Sequence, residues 1–168
     1  LMTPGDYEGF QVSGVMGELG RPIVLAAAIA SSPPVFHGEV QLSDVTHVEI
    51  ADIVIAGAPA NGLNIDDGGT FDTPSHHVVV REVTVRDCGG RGNDDGIKLS
   101  GVDDFLLDGC TVERWGRGGS AVDMVGCHRG LIEACTFRDR ETDAPATGVQ
   151  RRDRAARPCS SGHGRRRM

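Results

Sequence analysis

The chain has 168 residues, of which 24 are glycine and seven are aromatic, and it carries a formal net charge of −7. This length suits one domain with a modest core. No segment approaches the roughly 20 apolar residues of a membrane span, so a membrane is not an expected partner. No segment keeps helical spacing of apolar residues for several turns without Gly or Pro, which argues against long helices.

Charge is divided unevenly along the chain. Residues 1–150 carry a net charge of −13, whereas residues 151–168 carry +6 from seven arginines and one aspartate. Because residues 1–150 are so acidic, we do not expect them to bind nucleic acid. We expect one domain over 1–150 and an Arg-rich tail over 151–168 that is disordered or aberrant, with a nucleic-acid-binding arm as the alternative for the tail.

The first apolar run covers residues 22–30. A buried strand is the favoured interpretation of this run. It would also pass for the apolar part of a secretory signal if synthesis began at Met16.

From residue 50 onward, four stretches can be superimposed at spacings of 25 to 34 residues, and their apolar positions stay in step. Three columns result, namely Ile50, Val80, Leu107 and Ile132; Ile53, Val83, Cys110 and Cys135; and Leu63, Ile97, Val122 and Val149. Repeats of this length with Gly-, Asp- and Asn-rich corners are typical of a parallel β-solenoid, because one rung alone cannot bury its inner face. The sequence therefore predicts an all-β, right-handed parallel β-helix of about five to six rungs, the hand following the rule for parallel crossovers.

Cysteine and histidine positions give few signs of metal chemistry. The five cysteines are an odd number, so they cannot all be paired in disulfides within one chain. Cys110 and Cys135 share a column, and we expect them to be stacked thiols in the core. The alternative is that these two form a disulfide bridge or bind a metal ion. No CxxC or CxxH spacing supports zinc. His47 and His77 are equivalent in neighbouring rungs, and His76 with His77 as metal ligands is the less favoured alternative to a repeated corner.

Outward positions beside the third column are polar. They are Asn64, Lys98, Asp123 and Gln150, which we expect to stack on one strand face. Lys98 is the only lysine of the chain. The segment from Asp66 to His77 is longer than its counterpart in the next rung, and such insertions usually build one wall of a groove or contact a neighbour.

Several segments resemble the opening rungs of the pectate-lyase-like superfamily, and the chondroitinase B and alginate lyase group in particular. They are Pro-Gly-Asp-Tyr-Glu, Gly-Arg-Pro-Ile-Val-Leu, Pro-Pro-Val-Phe-His-Gly and His-Val-Glu-Ile-Ala-Asp-Ile-Val-Ile, followed by generic β-helix repeats such as residues 104–112. The resemblance implies a secreted or periplasmic protein acting on an acidic polysaccharide by β-elimination. It also implies Ca²⁺ and no organic cofactor.

The resemblance further implies roles for individual residues. Lys98 would be the base and Arg117 the acid. The residues themselves indicate the rest of the site: the carboxylate-rich corner of Asp94 and Asp95 offers the hard oxygens that Ca²⁺ prefers, Asn64 and Asp123 flank Lys98 where substrate would bind, and an exposed indole of Trp115 would suit the apolar face of a sugar ring. Trp115 has a second interpretation, a partly buried corner aromatic.

Two further alternatives stay open. Residues 93–97, Asn-Asp-Asp-Gly-Ile, resemble the acidic segment of polygalacturonase-type hydrolases, although Gly119 and Ser120 stand where those enzymes have two aspartates. The paired aspartates are also explained by turn chemistry alone. Whether the chain is an enzyme is therefore open, and the alternative is a non-catalytic glycan-binding or structural β-helix, or a truncated, inactive part of a lyase or hydrolase.

Overall fold

The computed structural model describes residues 1–70, 72–90 and 92–138, together with the backbone of 149–152. All regular elements in these ranges are strands. In chain order they are β1 (Asp6–Ser13), β2 (Ile23–Ala26), β3 (Val35–Ser43), β4 (Thr46–Ala51), β5 (Val54–Ala56), β6 (Leu63–Asp66), β7 (Ser75–Arg81), β8 (Thr84–Arg86), β9 (Ile97–Ser100), β10 (Val102–Asp108), β11 (Thr111–Glu113), β12 (Val122–Val125), β13 (Leu131–Glu133), β14 (Thr136–Arg138) and β15 (Val149–Arg152). Within the described part of the chain, no helix has the length and apolar character to cross a membrane.

Each turn of the chain supplies one strand to each of three faces. Face A contains β2, β4, β7, β10 and β13, face B contains β5, β8, β11 and β14, and face C contains β6, β9, β12 and β15. Strand β3 bridges two faces, because its first half pairs with β5 and its second half with β6. Equivalent strands of successive turns pair in parallel. The predicted all-β parallel β-helix is confirmed, with about five turns.

The three apolar columns lie inside the β-helix as predicted, as far as their side chains are described. Ile50, Val80 and Leu107 are aligned across β4, β7 and β10 and are at most 1% exposed. Ile132 continues this column from β13. The third column is aligned in the same way on face C, where Leu63, Ile97 and Val122 are fully buried. One continuous core therefore runs along the axis, and side chains alternate between it and the outer surface.

The second column fills the corner between faces A and B. Cys110 is fully buried there and Cys135 partly so, and both are free thiols. Burial raises the pKa of the Cys110 thiol to about 12. The prediction of stacked core thiols is confirmed, and such thiols are inert because the thiolate is the reactive form.

Two features near the ends of the chain differ from expectation. The run at 22–30 does contain strand β2, but Ile23 and Val24 are 48% and 45% exposed because β2 is the outermost strand of face A. At the other end, β15 extends through Arg152, two residues into the predicted tail. The remainder of that tail, 153–168, lies outside the described residues.

Candidate functional site

A ladder of polar side chains runs along the outer surface of face C. Asn64, Lys98 and Asp123 are aligned on β6, β9 and β12, and Gln150 of β15 shares their register, as the alternation predicts. The ladder also continues towards the N-terminus through Gln41 of β3. Sequence reasoning missed Gln41, although it lies between inward Val40 and Leu42 as Asn64 lies between Leu63 and Ile65. Its offset of 23 residues from Asn64 falls below the spacing of the other repeats.

An open groove of about 620 Å³ lies over the part of this ladder formed by Gln41, Asn64 and Lys98, whereas Asp123 is fully buried. The groove lining includes Gln41, Asn64, Asp66, Asp67, Lys98 and Ser100. The first residues of the long segment after β6 form one wall, since Asp66 to Gly69 all line the groove. A shallower recess of about 170 Å³ shares Gln41 and continues past Gln11 of β1. The groove therefore extends along the axis, as a site for an elongated ligand requires.

Three hydrogen bonds shape the groove wall at Asp66 and Asp67. The Asp66 carboxylate accepts a hydrogen bond from Gln41 Nε2 at 2.9 Å and another from the Gly68 amide at 2.9 Å. The amide of Gly69 donates to Asp67 Oδ1 at 3.1 Å. The two backbone-amide contacts are turn contacts of the kind Asp commonly makes. The hydrogen bond from Gln41 to Asp66 holds the Gln41 side chain beside Asn64.

Lys98 is held by two buried carboxylates. Its ammonium forms ion pairs with Asp123 and, at 3.4 Å, with Asp95, while its own side chain is 20% exposed. Asp95 also accepts the Ser120 amide at 2.7 Å. Burial raises the pKa of Asp95, and the Ser120 amide and Lys98 oppose that change. Lys98 therefore links two buried carboxylates to the open groove.

The geometry around Asp94 and Asp95 does not fit a shared Ca²⁺ site. Asp95 is directed into the β-helix towards Ser120 and Lys98, and its own amide donates to Asn61 Oδ1 at 2.8 Å. The Asp94 side chain lies instead over Gly89 and Gly92. Ca²⁺ needs several oxygens directed at one point, whereas these carboxyl groups point to different places and one of them is already paired with an ammonium.

Trp115 lies in the core, which contradicts its expected role in substrate binding. The side chain is 3% exposed, and its indole Nε1 donates to the Gly119 carbonyl at 3.2 Å. A buried indole offers no face to a sugar ring. The alternative interpretation as a corner aromatic is the correct one, because Trp115 follows β11 and its side chain belongs to the buried core cluster.

Arg117 is exposed in the turn between β11 and β12 and is not one of the groove-lining residues. The neighbouring Gly118 amide donates to the Gly92 carbonyl at 3.1 Å, which fixes this turn against the corner of the preceding rung. The expected approach of Arg117 to a leaving group beside Lys98 therefore has no geometric support. The structure brings together Asn64, Lys98 and Asp123 of the predicted site, with Asp95 behind them.

Comparison with known proteins supports the fold. No family model and no curated protein sequence matches the chain. Among solved structures, the chain is similar to a mannuronic-acid-specific polysaccharide lyase of family 6 from the human gut microbiota, with a TM-score of 0.53 and 10% identity. The similarity covers 90% of this chain and 45% of that one, so this chain spans about half the length of the lyase. That lyase is a right-handed β-helix, in agreement with the predicted hand.

A second solved structure is much less similar. It is a protein from Parabacteroides merdae described as a glycosyl hydrolase, with a TM-score of 0.18, 9% identity and coverage of 84% of this chain and 85% of that one. A similarity at this level carries no structural argument. At these identities the comparisons establish the fold of the chain. Its activity has to be argued from the chemistry of the groove.

Proposed function

We propose that this chain is a carbohydrate-active β-helix protein that binds an acidic polysaccharide in the groove on face C and cleaves it by β-elimination. The observation that carries the proposal is the position of Lys98, the single lysine of the chain, in an open groove between aligned amide and carboxylate side chains. An ammonium recognises a uronate carboxylate, and the amides of Gln41 and Asn64 suit sugar hydroxyls. The mannuronic-acid-specific lyase with the same fold makes a mannuronate polymer the first substrate to test. A secreted or periplasmic location accompanies this proposal, because such polymers lie outside the cell.

In the proposed reaction, Lys98 first gives up a proton to water in the groove, and its neutral amine then removes the proton α to the uronate carboxylate. The electron pair left on that carbon forms a double bond to the neighbouring carbon, and the bond from that carbon to the glycosidic oxygen breaks. The departing oxygen takes a proton from water in the open groove. General-base catalysis of this kind contributes about 10² to 10⁴ in rate.

A non-catalytic glycan-binding function is the second candidate, and one observation favours it. Lys98 is paired with both Asp95 and Asp123, and this pairing stabilises the ammonium that binds carboxylates rather than the amine that accepts protons. The carboxylates of Asp66 and Asp67 in the groove lining also repel a polyanion. Binding of an acidic glycan is therefore expected to strengthen when divalent cations are added, and Ca²⁺ dependence stays a prediction with no reaction step assigned to it.

The test is the growth of ultraviolet absorbance from unsaturated uronides, with alginate, pectate and chondroitin sulfate as substrates, in Ca²⁺ and in chelator. Wild type is expected to produce the signal, and Lys98→Ala and Lys98→Arg to lose about 10² or more of the rate because neither supplies the base. Arg81→Ala is the matched control, since Arg81 is a cation on face A that also pairs with two carboxylates, Glu49 and Asp108.

The variants separate the two candidates. Unchanged activity in Lys98→Ala would contradict the role of Lys98 as base. Binding that survives in Lys98→Arg without any cleavage by wild type would favour the non-catalytic function.

A further inference from the structure

Three histidines come together on the outer surface of face A, away from the groove. His47 belongs to β4, and His76 and His77 belong to β7. Each can place one ring nitrogen within 4.8 Å of those of the other two. Among the described residues, no other three histidine, cysteine, aspartate or glutamate side chains approach one another in this way.

The backbone explains why these side chains converge. Adjacent residues of a regular strand point to opposite faces, so His76 and His77 would normally diverge. His77 has a φ of 55° and His47 a φ of 50°. Neither residue is paired in the register between β4 and β7, which passes from Thr46–His76 to Val48–Val78. The same left-handed irregularity in two successive turns stacks His47 on His77, with ring centroids 4.4 Å apart, and turns His77 towards His76, whose Nδ1 lies 2.7 Å from that of His77.

We propose that His47, His76 and His77 form a binding site for a transition-metal ion of the zinc class. Imidazole nitrogen is a preferred ligand of Zn²⁺ and related ions and a poor one for Ca²⁺. Tetrahedral Zn²⁺ with bonds of about 2.0–2.1 Å needs its nitrogens about 3.4 Å apart. One nitrogen of each ring already lies within 4.8 Å of those of the other two, so binding requires rotation of the imidazoles to reach that spacing.

An open recess adjoins two of the three histidines. His47 and His77 line this recess of about 240 Å³ together with Glu18, Glu49 and Asp104, so an ion could reach these two rings from solvent. The three carboxylates are themselves paired with arginines. Thr46 Oγ1 lies 3.5 Å from His76 Nε2 and orients that ring.

A bound ion would join two turns of the β-helix, because one ligand comes from β4 and two come from β7. This site shares no residue with the groove on face C, and the inference does not depend on the proposed function. The sequence contained part of the signal, since His47 and His77 are equivalent in neighbouring rungs. From the sequence alone, His76 with His77 as metal ligands is the less favoured alternative, because adjacent residues of a regular strand normally diverge.

The experiment is a calorimetric titration of the untagged, metal-free full-length chain with Zn²⁺ and, separately, with Ca²⁺. We expect one equivalent of Zn²⁺ to bind and Ca²⁺ to give no comparable heat. His47→Asn, His76→Asn and His77→Asn should each weaken Zn²⁺ binding by about tenfold or more, since even loss of a residue behind a ligand has that effect. Asparagine is used because it tolerates a left-handed backbone.

His37→Asn is the matched control. His37 lies elsewhere, on β3, with its Nε2 2.7 Å from Asp6, and its substitution should leave Zn²⁺ affinity unchanged. Zn²⁺ should also raise the melting temperature of wild type and of His37→Asn, but not of His47→Asn.

A measurement on wild type alone guards against a variant that does not fold. Imidazole NMR signals of His47, His76 and His77 should shift when Zn²⁺ is added, and those of His37 should not. Absence of Zn²⁺ binding by wild type, or equal Zn²⁺ affinity in wild type and the three cluster variants, would overturn the proposal.

Discussion

Oppositely charged residues repeat from turn to turn on the outer surface of face B. Arg86, Glu113 and Arg138 are aligned on β8, β11 and β14, and Arg138 donates to Glu113 at 2.9 Å. At the following corner, Arg114 donates to both oxygens of Asp87, at 2.6 and 3.0 Å. Hydrogen bonds from Arg114 are the main cause of the lowered pKa of Asp87. Cross-strand pairs of opposite charge stabilise a sheet, whereas like charges directly opposite destabilise it.

Replacing Asp87 by asparagine tests this pairing. Asparagine suits the φ of 58° at this position, so the change removes charge and leaves the backbone unstrained. Because Asp87 is 40% exposed, we expect the free energy of unfolding to fall by only about 0.5 kcal/mol at neutral pH. A lowered carboxyl pKa stabilises the fold above its unfolded value and loses that effect as the pH falls through the folded value. The difference from wild type should therefore vanish well below pH 3.8, the ordinary pKa of this group.

Urea unfolding of both proteins at neutral and at strongly acidic pH measures this difference. A deficit that persisted in acid would assign the effect to packing rather than to the charge of Asp87.

At the scale of elements, the inner columns could be predicted from the sequence and the corners could not. A strand that is buried on one side must alternate, and each turn must repeat that alternation, so Lys98 and Asn64 could be assigned to one outer column by counting. Corners between strands vary in length and have no alternation. For this reason the burial of Trp115, the exposure of Arg117 and the orientation of Asp94 could not be deduced from spacing.

Two leucines on face A differ in burial, so the same substitution should affect stability differently at the two positions. Leu107 of β10 is 1% exposed, and Leu131 of β13 is 53% exposed. Leu107→Ala should lower the free energy of unfolding by about 2–5 kcal/mol, because it leaves a cavity in the first column. Leu131→Ala should change it by no more than about 0.5 kcal/mol. Denaturant unfolding of the two variants measures both values, and equal losses would contradict the assignment of Leu107 to the interior.

At the scale of the whole molecule, the β-helix separates two chemically different surfaces. Face C presents amides, carboxylates and one ammonium along an open groove, and face A presents three imidazoles that bridge two turns. Each surface is built by repetition, since equivalent positions of successive turns lie side by side. A single column of a solenoid can therefore accumulate groups that act on one ligand, and substitutions on one face can be tested while the other serves as the control.

The central claim is that the groove beside Lys98 binds acidic glycan, and calorimetric titration with uronate oligosaccharides tests it most directly. We expect wild type and Arg81→Ala to bind with the same affinity. Lys98→Ala should bind at least about tenfold more weakly, since a hydrogen bond to a charged group contributes about 1.5–3 kcal/mol. Equal affinity of wild type and Lys98→Ala, or a larger loss in Arg81→Ala than in Lys98→Ala, would contradict the account.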